Sequence, residues 1–448
     1  MTAELSEIVQ RVAGWARDGE QVEAYASRVR EVDVRAREGD IESLSSAESQ
    51  GIGVRVVSDG RQGFAYAAAL DDAVLEETLA EARDNTAFGS VDEWYGLPEP
   101  DGVAPPELDL FREELLSFPT DKKVELAIEL ERVARAADSR IRAIDTAEYG
   151  DAISELAIAS STGVAASARR TVCSLVVDAI AGSDGDTQTG YGYSVGRSPG
   201  ELDLVDAAED AVRRATRLLG ARKPPSQRLT VVLEPRVTAS FLGVLSSALS
   251  GEAVLKGRSF FEDRVGEQVA VSGLTLVDDP TVADAYGATT TDAEGLATRR
   301  NVLIQGGRLE RFLQNTYTGR RSGAGSTGSA MRGGFKGTPG VGARALMLVP
   351  GDRGPDELLA GIERGLLVQS VQGLHSGTNP VSGDFSVGVE GLMVHGGVVG
   401  EPVREATTAS TLQRMLLDVV AVGSDLEWLP GGAAGVTLVI GDVTLSGS

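Results

Sequence analysis

The sequence predicts an α+β protein of two domains, an N-terminal antiparallel sheet with helices and a C-terminal β-rich mixed domain. Three observations carry that expectation. The chain has 448 residues and a mass of 46.7 kDa, more than one hydrophobic core usually organises. Apolar residues alternate in many short runs, and a few stretches between them have helical spacing. A proline-bearing stretch, Ala221-Arg-Lys-Pro-Pro-Ser-Gln227, separates two regular segments. The expected division is therefore 1–220, a linker at 221–227, and 228–448.

Leu5, Ile8, Val9, Val12 and Ala16 recur at helical spacing, so the chain should open with an amphipathic helix. Val22–Ala36 and Ile41–Leu44 alternate as strands. Gly53–Val57 and Gly63–Ala67 should form a hairpin around Asp59-Gly60, a strong two-residue turn signal. Asp71 or Asp72 can cap a helix to about Arg83, and Thr120 with Asp121 should start another to about Ala137. Three or four strands are expected between Ile141 and Ala181, then a loop over the Gly- and Asp-rich segment Gly182–Gly200. Val205–Leu219 reads as a helix stopped by Gly220. Beyond the linker come the strand Leu229–Leu233 and a helix from Val237. Two hairpins turn at Gly306-Gly307 and Gly396-Gly397. A helix over Thr407–Val420 and strands over Val436–Leu445 close the chain.

Composition removes several function classes. The net charge of −24 and pI near 4.6 argue against nonspecific binding to nucleic acid or anionic lipid. No apolar run reaches the ~18–20 residues needed to cross a bilayer, and Met1–Glu7 lacks a signal pattern, so a cytoplasmic location is expected. The single cysteine, Cys173, excludes an intrachain disulfide and reads as a buried small apolar residue.

The stretch Gly251-Glu-Ala-Val-Leu-Lys256 follows the apolar run Phe241–Leu249 and reads as the continuation of its helix. Two histidines at its ends would hold a metal, with the glutamate beside it. Glycine has no donor atom and an ammonium repels a cation, so Gly251, Glu252 and Lys256 form a degenerate metal motif. Glu252 alone could be a general base or an ordinary helical glutamate. Gly323-Ala-Gly-Ser-Thr-Gly328 has dinucleotide spacing, but Met331-Arg-Gly-Gly-Phe cannot supply the helix that such a site needs; a mobile loop over a cleft is the better reading. Asp278-Asp279 and Asp292 with Glu294 could bind a cation through oxygen or simply form turns. His375, Asp384 and Ser386 could be drawn as a triad but lack a nucleophile elbow, which favours turn hydrogen bonding.

Together these residues resemble the TldD/PmbA (TldE) family, once described as modulators of DNA gyrase and now regarded as peptidases. The likeness is carried by Gly365–Gln369, Ser382-Gly-Asp-Phe-Ser through Gly391, Gly397–Pro402, Val420–Glu427 and Asp442–Gly447. Ser259–Gly266, Asp278-Asp-Pro280, Asp292-Ala-Glu-Gly295, Arg308–Arg320, Ile41-Glu-Ser, Gly53-Val-Arg-Val and Asp59–Phe64 add to it. It therefore spans nearly the whole chain.

The family's TldD type carries a His-Glu-x-x-x-His helix and a later cysteine that bind zinc, whereas its TldE/PmbA type lacks them. With Gly251, Lys256 and no cysteine after Cys173, this chain is similar to the metal-free type. The resemblance implies a subunit with no cofactor of its own, paired with a zinc-binding TldD-type chain around an enclosed cavity. Unfolded peptides or modified-peptide precursors would be cut there. It also places Arg321, Asn379, Asp384 and Ser386 as substrate-channel candidates, with no catalytic residue in this chain. The alternatives are a stand-alone homodimeric peptide-binding scaffold and a metal-independent amide hydrolase.

Overall fold

The alternating runs of the first half build one six-stranded sheet, every pair antiparallel. The computed structural model describes residues 2–183 and 185–447. Helix α1 (Thr2–Ala13) leads into β1 (Glu20–Arg37), β2 (Asp40–Ser58) and β3 (Arg61–Ala67). Helices α2 (Asp72–Thr86) and α3 (Thr120–Ala137) follow. Then come β4 (Ile141–Ser160), β5 (Ala165–Ser183), β6 (Asp186–Gly196) and α4 (Leu204–Thr216). The spatial order is β3-β2-β1-β4-β5-β6.

α1 and α2 cover the sheet face that carries Val22, Ala24, Ala26, Ile52, Val54 and Val56, and these residues form one buried cluster. Period two makes that outcome compulsory, because every second residue of β1 and β2 points the same way. Asp71 caps α2 as expected, its carboxylate accepting from the Val74 N–H at 3.3 Å.

The fold is α+β, and four local expectations are corrected. The expected short strands at Ile41–Leu44 and Gly53–Val57 are parts of one strand, β2, and Ile141–Ala181 holds two long strands rather than three or four. The Gly-rich stretch expected as a loop contains β6 (Asp184 lies outside the described residues). Its glycines serve packing. A Cβ at Gly190 or Gly192 would lie 2.0 Å from the Ala211 or Ala207 carbonyl oxygen of α4. The expected helix over Thr407–Val420 is instead a strand to Thr411, a short helix at Leu412–Leu417, and a strand from Val419.

Two compact units divide the chain, and they are not simple halves. Unit 1 comprises 1–216 with 289–298 and 315–340, and unit 2 comprises 217–288, 299–314 and 341–448. In unit 2, β7 (Gln227–Leu233) is followed by α5 (Pro235–Ala248) and α6 (Gly251–Leu255). The remaining main strands are β8 (Arg364–Gln372), β9 (Asp384–His395), β10 (Val398–Thr411), β11 (Val419–Val422) and β12 (Leu438–Ser446). Their order is β10-β9-β8-β7-β12-β11, and an extra pairing of β10 with β12 closes the sheet into a barrel. Only β7 and β8 are parallel, which makes the sheet mixed. Its core is apolar. Phe241, Leu242 and Leu245 of α5 join Val231, Leu366, Val387 and Ile440 of the strands in one buried cluster.

Candidate functional site

The stretch with the metal-motif spacing does not continue α5. That helix ends at Ala248, and the backbones at Leu249–Gly251 and Leu313 make a short β-like exchange. Gly251 N–H donates to the Leu313 carbonyl at 2.8 Å, and Leu313 N–H to the Leu249 carbonyl at 2.9 Å. Ser250 then caps the new helix α6, its hydroxyl accepting from Ala253 N–H at 3.2 Å. The sequence showed the helical residues and hid the break, because the break depends on Leu313.

Gly251 is buried at the start of α6, and a Cβ there would lie 1.9 Å from the Gln314 side-chain oxygen. An imidazole could not enter without displacing Gln314. Glu252 and Lys256 form an ion pair one turn apart, both about half exposed. The carboxylate that would assist a metal is thus held by an ammonium. These residues do not fit a zinc ion.

Asn379, Asp384 and Ser386 come together in unit 2 at the start of β9. Asn379 N–H donates to the Asp384 carbonyl at 2.9 Å, and its side-chain oxygen accepts from Val381 N–H at 2.9 Å. The Asp384 carboxylate receives the Ser382 hydroxyl at 2.6 Å. Ser386, Asp384 and His375 are exposed, and Gly377, two residues after His375, lies against the Ser386 carbonyl. This is a turn network opening a strand, with exposed polar groups at its rim. His395 stands 3.4 Å from Glu401 across a hairpin.

Arg321 belongs to unit 1 and donates to the Tyr317 hydroxyl at 2.8 Å. Tyr317 in turn donates to Asp92 at 2.8 Å, and Arg320 donates to the Leu97 carbonyl at 2.7 Å. The Trp94 N–H bond, with the Tyr317 hydroxyl and Arg321 charge behind it, holds Asp92 below the usual carboxylate range. The helix Thr316–Ser322 is therefore fastened to the connector 92–97. The glycine-rich segment beyond it is tied down as well: Gly325 N–H donates to the Gly319 carbonyl at 3.0 Å, and Ala330 N–H to Asp292 at 3.1 Å.

Sequence reasoning missed the most concentrated buried charge in unit 1. Arg55 of β2 lies between Glu23 of β1, at 2.5 Å, and Glu294, at 3.3 Å. Arg332 binds the other Glu23 oxygen at 2.6 Å and lies over the Tyr25 ring at 4.5 Å. All four side chains are buried. Burial pushes the Glu23 carboxyl upward, but Arg55 and Arg332 outweigh it and hold it below its ordinary value. Glu294 also accepts from Thr316 N–H at 2.8 Å. Close approach completes the seat, since a Cβ at Gly51 would lie 2.4 Å from the Phe335 ring. The available signal was a charged residue at an inward position of each apolar strand: Glu23 within Val22–Ala26 and Arg55 within Val54–Val57.

Asp278 and Asp292 serve turns and chain crossings. Asp278 accepts from Arg344 and Ala345 N–H groups at 2.9 and 2.7 Å, and burial raises it to about 6. Asp292 accepts from Glu294, Leu296 and Ala330 N–H groups, and burial with the Glu294 charge raises it to about 7. Among the described residues, no three His, Cys, Asp or Glu side chains gather in a way that could hold a metal ion.

Comparison with known proteins covers most of the chain. The PmbA/TldA metallopeptidase domain 1 matches residues 22–86, the central domain 113–219 and the C-terminal domain 226–447. The chain belongs to the PmbA/TldD family. It is 28% identical over 408 residues to the metalloprotease PmbA of Escherichia coli O157:H7, covering 90% of this chain and 88% of that protein. A solved structure described as a modulator of a DNA gyrase, from Thermotoga maritima MSB8, superposes with a TM-score of 0.90. It is 24% identical and covers 98% of this chain and 99% of its own. TldE from Thermococcus kodakarensis shares the fold with a TM-score of 0.89 at 22% identity, each chain covered in full. Family membership makes the Gly251–Lys256 geometry informative. In this member of the family the Gly251–Lys256 stretch holds a buried glycine set against Gln314 and an ion-paired lysine.

Proposed function

We infer that this chain is the non-catalytic, metal-free TldE/PmbA-like subunit of a heteromeric TldD/TldE-type zinc metallopeptidase. A zinc-binding TldD-type partner supplies the metal, and the pair acts in the cytoplasm on unfolded peptides or on modified-peptide precursors within an enclosed cavity. The observation that carries this reading is the α6 start, where Gly251 abuts Gln314 and Lys256 occupies Glu252. Metal-ligand geometry needs lone pairs converging on one point, and this stretch offers a methylene, an amide and a neutralised carboxylate.

In this reading the subunit shapes the path of the peptide. Asn379, Asp384 and Ser386 present exposed polar groups beside the β9 strand, and Arg321 presents a guanidinium from unit 1. Extended chains bind such surfaces through main-chain groups, without demanding a sequence.

The test is zinc content and peptidase activity of the purified chain, alone and mixed with a TldD-type chain from the same genome. No bound zinc and no cleavage alone, with chelator-sensitive cleavage in the mixture, is the expected result. Stoichiometric zinc in the isolated chain, or cleavage by it, overturns the reading.

A further inference from the structure

We propose that the barrel of unit 2 holds a pocket for a compact apolar group, and that Leu374 is its stopper. The barrel core is not close-packed throughout. Beneath Leu374 lies a cavity of about 20 Å³, room for one water-sized particle. Val231, Val368, Phe385 and Val389 of the strands, Phe241 of α5 and Met415 line it. Of the twelve residues around it, Thr408 alone has a polar side chain. Such walls give water too few hydrogen-bond partners, and cavities of this kind take apolar guests instead.

The lining also shows how little would close the space. Half of the twelve residues are valine, and isoleucine in place of Val389 or Val443 would add a methyl group to the core. Buried space without atoms forfeits dispersion contacts and lowers stability. Elsewhere the same core is filled by larger aliphatic residues: Leu366, Leu438 and Ile440 are fully buried and stand outside the lining. The smaller residues therefore gather where the cavity is.

The cover is of a kind that can lift. Among the lining residues only Val371 and Leu374 are half-buried, so they mark the mouth. Leu374 begins a single helical turn, Leu374–Gly377, entered through Gly373 at a φ of 77°, a conformation that glycine adopts freely. The Ser376 and Gly377 N–H groups both donate to the Gly373 carbonyl, at 3.1 and 2.7 Å. The Thr378 hydroxyl donates to the Leu374 carbonyl at 2.7 Å. These bonds tie the turn to itself. Backbone pairing with β9 resumes at Thr378, which bridges Phe385. Of residues 372–377 only Leu374 has an apolar side chain, and it packs on the barrel core. Rotation about Gly373 would withdraw that one side chain and leave a leucine-sized apolar pocket. Phe385 lines the cavity between Asp384 and Ser386 in β9, so the pocket lies behind the exposed polar rim.

The guest is a branched aliphatic or thioether group, of the size of the side chain it displaces. Two sources carry such a group, a free apolar molecule and a side chain of an extended peptide. Only the second rests on the peptide-path reading given above.

Two probes on the isolated full chain test the pocket and separate its sources. Xenon under pressure should occupy the cavity in crystals, between Phe241, Phe385 and Met415. Val389→Ile or Val443→Ile should remove that peak and raise the melting temperature. A peptide carrying a photoactivatable leucine should label Val371, Phe385 or Met415 on irradiation. Leu374→Ala should tighten binding of a leucine peptide at least about tenfold and leave its alanine counterpart unchanged. Xenon binding without labelling or leucine preference supports the pocket and assigns it to free molecules. No xenon in either the parent or Leu374→Ala, or full xenon occupancy retained in both isoleucine variants, overturns the proposal. Zinc bound by the isolated chain would sink the subunit reading and leave the xenon result standing. Chelator-sensitive cleavage by the mixed pair, with no labelling, would keep that reading and remove only the peptide source.

Discussion

Unit 1 and unit 2 fasten their sheets by different physics. In unit 2 the barrel closes over an apolar core that includes Phe241, Leu245, Leu366 and Ile440. In unit 1 one sheet face is apolar, but the other carries Glu23 and Arg55, which meet Glu294 and Arg332 from segments far along the chain. Apolar packing makes elements adhere and tolerates small slips. Arg55 between two carboxylates does not, because a one-residue shift would leave buried charges unpaired. The contrast teaches that burial in unit 1 registers distant segments, whereas burial in unit 2 gives compactness.

The largest expected effect tests the charged side of that contrast. Arg55→Met leaves Glu294 without a cation and Glu23 with Arg332 alone, and should cost about 3–5 kcal/mol in urea unfolding. Hydrogen exchange should show the loosening first in 289–298 and 315–340. Leu245→Ala, in the barrel core, should cost about 2–4 kcal/mol, with the loosening confined to unit 2. If both variants loosen the same segments, the two units are not separately fastened.

A smaller effect depends on pH. Burial raises Asp278 from 3.8 to about 6, so the folded state keeps this proton longer than the unfolded chain. Its support is full below pH about 4 and is lost as pH rises to about 6. Asp278→Asn should therefore gain stability relative to the parent, on the order of 2 kcal/mol, between pH 4 and pH 7. A constant difference across that range would contradict the assignment. The smallest effect belongs to the degenerate motif. Lys256→Ala removes an exposed one-turn ion pair and should change stability by under about 0.5 kcal/mol. A loss of several kcal/mol would mean that α6 has a structural duty its exposure does not reveal.

How much was legible followed from how local each cause is. Asp71 capping α2, the Asp59-Gly60 hairpin and the α3 boundaries are settled by neighbouring residues, and the sequence displays them. Gly190 and Gly192 misled because glycine marks both a loop and a place where a helix lies against a strand. Thr407–Val420 misled because its apolar spacing suits a helix, while β9 and β12 claim its first residues as a strand. At the candidate site, the absence of donors at Gly251 and Lys256 was readable directly. That Gln314 occupies the space beside Gly251 was not, since the two meet only through the exchange between Leu249–Gly251 and Leu313. Glu23 and Arg55 each stood out as a charge inside an apolar strand, but their meeting with Glu294 and Arg332 was illegible for the same reason, the members being scattered from the first strand to the last third of the chain.

That scattering has a consequence during synthesis. All six strands of the unit 1 sheet lie within residues 1–216 and leave the ribosome first. Glu294 and Arg332 do not yet exist at that moment, so Glu23 and Arg55 have only each other, and Tyr25 lacks the cover of Phe335. A nascent sheet in that condition presents one finished face and one sticky one. That face is complete only once the chain through residue 335 has been made.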